Sequence, residues 1–166
     1  MVLSIITINY NNVEGFRKTA ESGLSQSNKD FEWIVIDGGS QDGSKELIEQ
    51  YAEYISYWVS ESDKGVYHAM NKGIAKARGT WLQFLNSGDC FHSNGVLSSI
   101  TFDEYSECDI LYGDSYIIEP VRRNWVKEEL DTMTLNYLRG ASVGHQSSFI
   151  RRSCFDEVGL YNESLL

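Results

Sequence analysis

The feature that most constrains the fold is a regular alternation of short apolar runs with helical stripes along residues 2–85. Residues 2–8 are almost all apolar or β-branched, which is typical of a strand buried on both faces of a parallel sheet. Similar runs at residues 31–36, 57–59 and 80–85 alternate with three segments whose apolar residues recur at helical spacing. This βαβαβαβ order predicts an α/β fold with a mostly parallel central sheet and helices on both faces.

The three helical stripes occupy residues 13–24, 47–55 and 66–77. Asn11 or Asn12 precedes the first stripe and can cap that helix, as can Asp42 or Ser44 for the second. Gly79 follows the third stripe and marks the end of that helix.

The pattern changes near residue 108. Short strand-like pieces at residues 110–112, 115–118 and 123–126 have no clear helix between them, so this half is predicted to be mixed rather than parallel. No linker rich in Pro, Gly or Ser divides the chain, and we predict one domain over residues 1–166. The last eight residues of the chain carry no capping or turn signal. We therefore expect the half that begins at residue 108 to be incomplete.

The composition excludes several classes of protein. With 14 lysines and arginines against 24 aspartates and glutamates, the formal net charge is −10, and the basic residues are scattered. A nucleic-acid-binding surface requires clustered Lys and Arg, so we expect no nucleic-acid partner. No apolar run is long enough to span a bilayer and the chain starts without signal-peptide features, so we expect a cytoplasmic protein with no transmembrane segment.

Polar loops follow each of the four predicted strands. In an open α/β sheet, ligands bind outside the carboxyl ends of the strands, so these loops predict the position of a ligand site. Taken alone, each acidic residue also has a structural interpretation, since Asp37 or Asp42 can cap a helix and Asp89 can begin a turn. The loops cover residues 9–11, 37–43, 61–65 and 86–89.

The glycine-rich loop at residues 37–43 matches neither common phosphate-binding motif. No G-x-G-x-x-G follows an early strand and no G-x-x-x-x-G-K-[ST] occurs, which argues against a nicotinamide enzyme and a P-loop NTPase. The carboxylate of Asp37 can instead accept a hydrogen bond from a base N–H or a ribose hydroxyl. Asp89 can share Mg²⁺ or Mn²⁺ with two substrate phosphate oxygens, and such a cation offsets the repulsion between an acidic protein and phosphate.

Four blocks of sequence around these loops carry a further signal. Residues 3–11 read Leu-Ser-Ile-Ile-Thr-Ile-Asn-Tyr-Asn, and residues 31–44 follow the pattern Phe-Glu-x-Ile-Val-x-Asp-x-Gly-Ser-x-Asp-Gly. Residues 63–74 and 78–89 form the third and fourth blocks. Together the blocks resemble family 2 glycosyltransferases, of the bacterial kind that assembles surface polysaccharides. The resemblance covers essentially the whole chain and implies a GT-A-type nucleotide-diphospho-sugar transferase fold.

The resemblance implies roles for particular residues. It places Asp37 at the nucleotide base and Asp89 at a divalent metal, Mn²⁺ or Mg²⁺. His145 lies in a block that resembles the sugar and acceptor side of the family, although a structural hydrogen bond is an equally good interpretation. The residues implied around the nucleoside and its phosphates are Ile8, Asn9, Tyr10, Asp63 and Lys64.

Three positions depart from the family pattern. Gly38 replaces the second Asp of Asp-Asp-Gly-Ser, and Gly88 replaces an acidic residue of the metal-binding motif, so metal binding rests on one carboxylate. His68 stands where the family often has Asp, and a solvent-facing position on a helix is its plainer interpretation.

The resemblance also implies an inverting single displacement, in which an acceptor hydroxyl attacks the sugar of a nucleotide-diphosphate sugar. We expect residues 1–107 to bind this donor, a UDP-sugar. Residues 108–166 then begin the acceptor side, where a saccharide or lipid-linked saccharide binds. Peripheral attachment at the inner face of the membrane is an alternative to a freely cytoplasmic location.

No catalytic base is assigned. In the family the base follows the block matched by residues 159–163, which predicts a base beyond Leu166. Asp114 is the weak candidate within the chain, and a turn residue is its plainer interpretation. Two alternatives stay open: a donor-binding but catalytically inactive fragment, and a nucleotidyltransferase, although residues 9–14 lack the Gly-rich, basic loop typical of that class.

Overall fold

A six-stranded mixed sheet forms the centre of the protein. The computed structural model describes residues 1–118, 125–127 and 143–165. Its strands are β1 (Leu3–Asn9), β2 (Phe31–Asp37), β3 (Tyr57–Ser60), β4 (Trp81–Phe84), β5 (Ile110–Tyr112), β6 (Ser115–Ile117), β7 (Trp125–Lys127) and β8 (Ser148–Arg151). The order across the main sheet is β3-β2-β1-β4-β8-β5, and β6 pairs with β7 in a separate two-stranded sheet.

The first four strands are parallel, as predicted. β1 pairs with β2 and β4, and β2 pairs with β3. All seven residues of β1 are buried, in agreement with its unbroken apolar run. Asn9 lies opposite Asp37, and Asp37 lies opposite Ser60. The carboxyl ends of three strands therefore lie side by side at one edge of the sheet.

Helices pack on both faces of this sheet. They are α1 (Val13–Leu24), α2 (Ser44–Gln50), α3 (Val66–Lys76) and α4 (Ser153–Val158). Phe16 of α1 and Ile48 of α2 belong to one buried cluster with Ile5, whereas Met70 of α3 belongs to another with Ile6. Because neighbouring residues of a strand point to opposite faces, the two clusters lie on opposite sides of the sheet. This confirms the predicted layers.

None of the helices in the described part of the chain is long and apolar enough to cross a membrane.

The predicted cap of the first helix is confirmed, whereas the second helix has Gly43 at its N-cap rather than Asp42 or Ser44, and it ends early. Asn12 caps α1 by accepting a hydrogen bond from the Gly15 N–H, 3.1 Å away. The predicted stripe continues to Ile55, whereas α2 ends at Gln50 and a 3-10 turn, Ala52–Tyr54, follows. Backbone bonds between residues three apart in this turn wind the chain more tightly, which still leaves Ile55 buried.

The later half is mixed, as predicted, because β8 runs antiparallel to both β4 and β5. The strand-like pieces at residues 110–112 and 115–118 correspond to β5 and β6. The piece at residues 123–126 overlaps β7, and its first two residues lie outside the described residues. The sequence patterns predicted neither β8 nor α4.

Candidate active site

Four loops at the carboxyl edge of the sheet are joined by backbone hydrogen bonds. The Gly38 N–H donates to the Asn9 carbonyl at 2.9 Å, and the Glu61 N–H donates to the Asp37 carbonyl at 3.0 Å. The Ser87 N–H donates to the Ile8 carbonyl, also at 3.0 Å. The loops that the sequence placed at one edge therefore form one continuous surface.

Asp37 lies at the centre of this edge and is fully buried, with 0% exposure. Its carboxylate accepts hydrogen bonds from Asn9 Nδ2 at 2.7 Å, from the Ser60 hydroxyl at 2.6 Å and from the Ser40 hydroxyl at 2.5 Å. The N–H groups of Gly39 and Ser40 also donate to it. Burial raises the pKa of Asp37, but these hydrogen bonds outweigh it and hold the pKa below its ordinary value of 3.8.

Asp37 thus uses its carboxylate to organise the loops around it. A carboxylate has about four lone-pair sites, and five donors from the chain already converge on this one. Its contact with a nucleoside stays a prediction.

A pocket of about 480 Å³ opens beside Asp37 at the same edge. Of the predicted nucleotide-binding residues, Ile8, Tyr10 and Asp63 line it. Asn9 is buried beneath, where it donates to Asp37. The other lining residues, which were not predicted individually, are Gly38, Ser62, Gly65, Val66 and Asn86.

The loop at residues 63–65 forms one wall of this pocket and leads into α3. Asp63 Oδ1 accepts a hydrogen bond from the Gly65 N–H at 2.9 Å. Lys64 is exposed next to the wall, and its backbone N–H donates to Nδ1 of His68 at 3.2 Å. His68 therefore braces the loop from the first turn of α3, a role that its sequence position did not reveal.

The loop at residues 86–89 follows β4 and is held by α1. The Thr19 hydroxyl lies within hydrogen-bond distance of the carbonyls of Asp89, at 2.8 Å, and Asn86, at 3.1 Å, which share its single proton, and it accepts from the Gly88 N–H at 2.9 Å. Gly88 has a φ of +107°, a conformation that side-chain-bearing residues rarely adopt. The family pattern has an acidic residue at this position. In this chain it is replaced by glycine, in a backbone conformation that favours glycine.

Thr19 was missed by sequence reasoning. The signal for it is a hydroxyl residue beside Phe16 and Ala20 on the buried stripe of α1, where an apolar residue is expected.

Asp89 and His145 approach each other across this loop. His145 lies in the 3-10 turn His145–Ser147 that precedes β8, and its Nε2 is 3.2 Å from Asn86 Nδ2. Burial raises the pKa of Asp89, and the interaction with His145 lowers it by less. Burial likewise lowers the pKa of His145, which the Asp89 charge only partly reverses. We call the group formed by Asn86, Asp89 and His145 the metal corner. It contains a carboxylate whose burial is not fully compensated by favourable interactions and an imidazole that is neutral at pH 7.

The donors at this corner fit a hard divalent cation that shares its ligands with a substrate. Within the described ranges, buried Asn86 Oδ1 and Ser87 Oγ have no hydrogen-bond partner, and both lie in the loop that carries Asp89. Among the described residues, no three His, Cys, Asp or Glu side chains are grouped so that they could hold a metal ion by themselves. A cation here would therefore depend on Asp89, on neutral oxygens and on the phosphates of the substrate, a coordination that suits Mg²⁺ or Mn²⁺.

Asp114 is exposed in the short segment between β5 and β6 and does not line the pocket at the carboxyl edge.

Residues 4–157 match the family model described as glycosyl transferase family 2. The chain belongs to this family. All of the candidate nucleotide- and metal-binding residues, together with His145, fall within the matched range. The family resemblance of the sequence is thereby confirmed.

Two curated relatives of this family 2 chain are both from Mycobacterium tuberculosis. A PGL/p-HBAD biosynthesis glycosyltransferase is 32% identical over 147 residues, which cover 86% of this chain and 56% of the relative. An uncharacterized glycosyltransferase is 32% identical over 174 residues, which cover 96% of this chain and 62% of the relative. The chain thus spans only a little over half the length of the relatives that it matches.

Two solved structures share the fold of this chain. TarS residues 1–349 from S. aureus, in complex with UDP, superposes with a TM-score of 0.78 at 20% identity, over 99% of this chain and 51% of TarS. A mannosyltransferase from Pyrobaculum calidifontis, in complex with GDP-Man and Mn²⁺, gives a TM-score of 0.70 at 18% identity, over 97% of this chain and 47% of that one. The predicted GT-A-type architecture is confirmed.

Proposed function

We propose that this chain is the donor-binding part of an inverting glycosyltransferase that transfers a sugar from a UDP-sugar to an acceptor hydroxyl. The observation that carries the proposal is the juxtaposition of the 480 Å³ pocket with the Asp89 corner, since Asn86 belongs to both. A nucleoside in the pocket would direct its diphosphate toward Asp89. A relative named as a PGL/p-HBAD biosynthesis glycosyltransferase and a fold neighbour solved with UDP support the same assignment.

Tyr10, Asp89 and His145 would each contact a different part of the bound donor. The ring of Tyr10 is 65% exposed at the mouth of the pocket and offers an apolar face for the base. Asp89 and the oxygens beside it would hold Mn²⁺ or Mg²⁺, which when bound neutralises charge on the departing diphosphate. His145, neutral at pH 7, can donate a hydrogen bond to a phosphate or sugar oxygen without adding charge.

We also propose where the acceptor side and the catalytic base lie. We place the donor in residues 1–107, and the start of the acceptor side, for a saccharide or lipid-linked saccharide, in residues 108–166. The base that removes the acceptor proton belongs beyond Leu166, with Asp114 as the weaker candidate. Synthesis of a cell-surface polysaccharide at the cytoplasmic side of the membrane is the corresponding biological setting.

One observation favours a second candidate, a binding module without turnover. Among the described residues around the proposed metal position, the loop at residues 86–89 carries a single carboxylate, Asp89, because Gly88 stands where the family motif has another acidic residue. Such a module would bind the donor diphosphate but would not transfer its sugar, even in a chain that includes the proposed base.

Calorimetric titration with UDP tests the proposed donor site. We expect UDP to bind at least about tenfold more tightly with Mn²⁺ than without it, and Asp89→Ala to abolish that difference. Asp156→Ala, which removes a carboxylate from the exposed surface of α4, is the matched control and should leave the difference unchanged. A metal dependence that survives Asp89→Ala would place the cation elsewhere and contradict the assignment.

A further inference from the structure

Two carboxylates, Asp37 and Asp63, lie near the proposed nucleoside end of the pocket, and they differ in burial and in their bonds to the protein. Asp37 is fully buried and is bonded to five donors of the chain itself. Asp63 lines the pocket and is only partly buried. Of the two, Asp63 has the side chain that a bound base can reach without breaking bonds inside the protein.

Gly38 makes room for the Asp63 carboxylate. A Cβ atom placed on residue 38 would lie 2.7 Å from Asp63 Oδ2 and 3.0 Å from Tyr10 Cδ2. The Asp63 carboxylate thus occupies the space into which a side chain at residue 38 would project. The family pattern has an acidic residue at the position of Gly38. In this chain the carboxylate of Asp63, from the loop between β3 and α3, lies over that glycine.

The orientation of Asp63 is fixed by its own loop. Oδ1 accepts the Gly65 N–H, while Oδ2 is the oxygen that lies over Gly38, next to the Tyr10 ring. A base stacked against Tyr10 would present its edge to this oxygen. Because an ionised carboxylate only accepts hydrogen bonds, the edge must carry an N–H group.

This requirement separates the common bases. Uracil and guanine carry a ring N–H at the centre of their pairing edge. Cytosine and adenine carry a ring nitrogen lone pair there, which a carboxylate repels, and their N–H groups on this edge belong to the exocyclic amine at one end of it. A site that is built to bond an N–H discriminates strongly against an analogue that lacks it, because its buried polar group is then left unpaired.

We propose that Asp63, positioned over Gly38, is the residue that determines base specificity, and that it selects nucleotides whose base carries a ring N–H. The inference rests on the proposed donor site, since it concerns the base of the nucleotide that binds there. Asp37 is then a positioning residue, which holds the Asn9, Ser40 and Ser60 side chains around it.

Competition among four nucleotide diphosphates tests the proposal. Affinities of UDP, GDP, CDP and ADP are measured by calorimetry with Mn²⁺ for the parent chain and for Asp63→Asn. We expect the parent to prefer UDP or GDP over CDP and ADP by about ten- to a hundredfold. Asp63→Asn should bring the UDP:CDP ratio close to one, because a rotated amide can donate to the cytosine ring nitrogen.

Two further variants make the test specific. Gly38→Ala should also lower the UDP:CDP ratio, because its Cβ displaces the carboxylate. The unfolding midpoint should fall only slightly, since the groups that must move are the side chains of Asp63 and Tyr10 and only the Asp63–Gly65 hydrogen bond is lost. Glu61→Gln makes the same charge change on the same loop, outside the residues that line the pocket, and should preserve the ratio.

The outcomes separate the inference from the function on which it rests. If none of the four diphosphates binds, the proposed donor site is wrong. If UDP or GDP binds selectively and the selectivity survives both Asp63→Asn and Gly38→Ala, the donor site stands and the role of Asp63 is overturned. If Glu61→Gln lowers the ratio as much as Asp63→Asn, the selectivity reflects loop charge rather than a contact, and the inference also fails.

Discussion

At the scale of single residues, the carboxylate at the end of β2 and the carboxylate in the loop after β4 experience opposite environments. Asp37 is buried among five donors, and its pKa lies below its ordinary value. Asp89 is desolvated without enough compensation, and its pKa lies above it. The sequence identified both as site residues but could not distinguish them, because the donors around Asp37 come from the ends of β1 and β3 as well as from the loop after β2.

Replacing Asp37 by Asn tests its role as a structural acceptor. We expect the free energy of unfolding at pH 7 to fall by about 1–3 kcal/mol, because an amide nitrogen would face donors that need an acceptor. Urea unfolding measures this, and Asp30→Asn, an exposed site just before β2, is the control.

The pH dependence of the Asp37 effect has a definite sign. Since folding lowers the pKa of Asp37, its stabilising contribution is complete above pH 3.8 and is lost as the pH falls through the lower folded pKa. The difference between the parent and Asp37→Asn should therefore narrow below about pH 4. A constant difference down to pH 2 would contradict the account.

Asp89→Asn should have the opposite effect on stability. Because folding raises the pKa of Asp89, its contribution is favourable below pH 3.8 and is lost as the pH rises through the folded pKa. We expect the metal-free variant to be more stable than the parent at pH 7 by about 0.5–2 kcal/mol, at the expense of metal-dependent UDP binding. A less stable variant in the same urea titration would show that Asp89 has a structural role instead.

At the scale of elements, α1 and the turn before β8 both contact the loop at residues 86–89. Thr19 of α1 bonds to its backbone, and His145 lies beside Asn86. The early strands and helices could be predicted because each one carries its own period of apolar residues. β8 could not, since it has only four residues, two of them buried, and is defined by pairing with β4 and β5. The proximity of His145 to Asn86 depends on that pairing, so no local spacing revealed it.

Thr19→Val tests the support that α1 gives to the Asp89 loop. Valine has nearly the same shape but removes the hydroxyl partner of the Asp89 carbonyl and the Gly88 N–H, while the Asn86 carbonyl keeps only its bond from the Asp89 N–H. We expect a loss of about 1–3 kcal/mol in the free energy of unfolding and a smaller effect of Mn²⁺ on UDP binding. Thr19→Ser retains the hydroxyl and should restore the Mn²⁺ effect. If Thr19→Val binds UDP and Mn²⁺ like the parent, α1 does not position the loop.

At the scale of the whole molecule, both halves of the sequence contribute to one sheet. β8, from the second half, lies between β4 and β5, and Asn71 of α3 donates to the Tyr161 carbonyl at 2.9 Å. The sequence predicted the ligand edge because the carboxyl ends of parallel strands must meet. The pocket wall itself depends on contacts between loops, such as that of Asp63 with Gly38, which no periodicity encodes.

The molecule also has a pocket at the opposite edge of its sheet, which makes the central claim directly testable. This pocket, of about 220 Å³, is lined by residues near the amino ends of β1 and β2 and by residues between β4 and β5, including Leu3, Phe31, Leu97 and Phe102. A donor site at the carboxyl edge and a site at this amino edge share none of their lining residues.

The decisive measurement is backbone NMR of the chain titrated first with Mg²⁺ and UDP and then with a small fraction of Mn²⁺, whose unpaired electrons broaden nearby signals. We predict UDP-dependent shifts at residues 8–10, 38–40 and 62–66, and Mn²⁺ broadening centred on residues 86–89 and 145. Shifts and broadening confined to residues 28–31 and 97–103 would place the ligand at the amino edge and contradict the account.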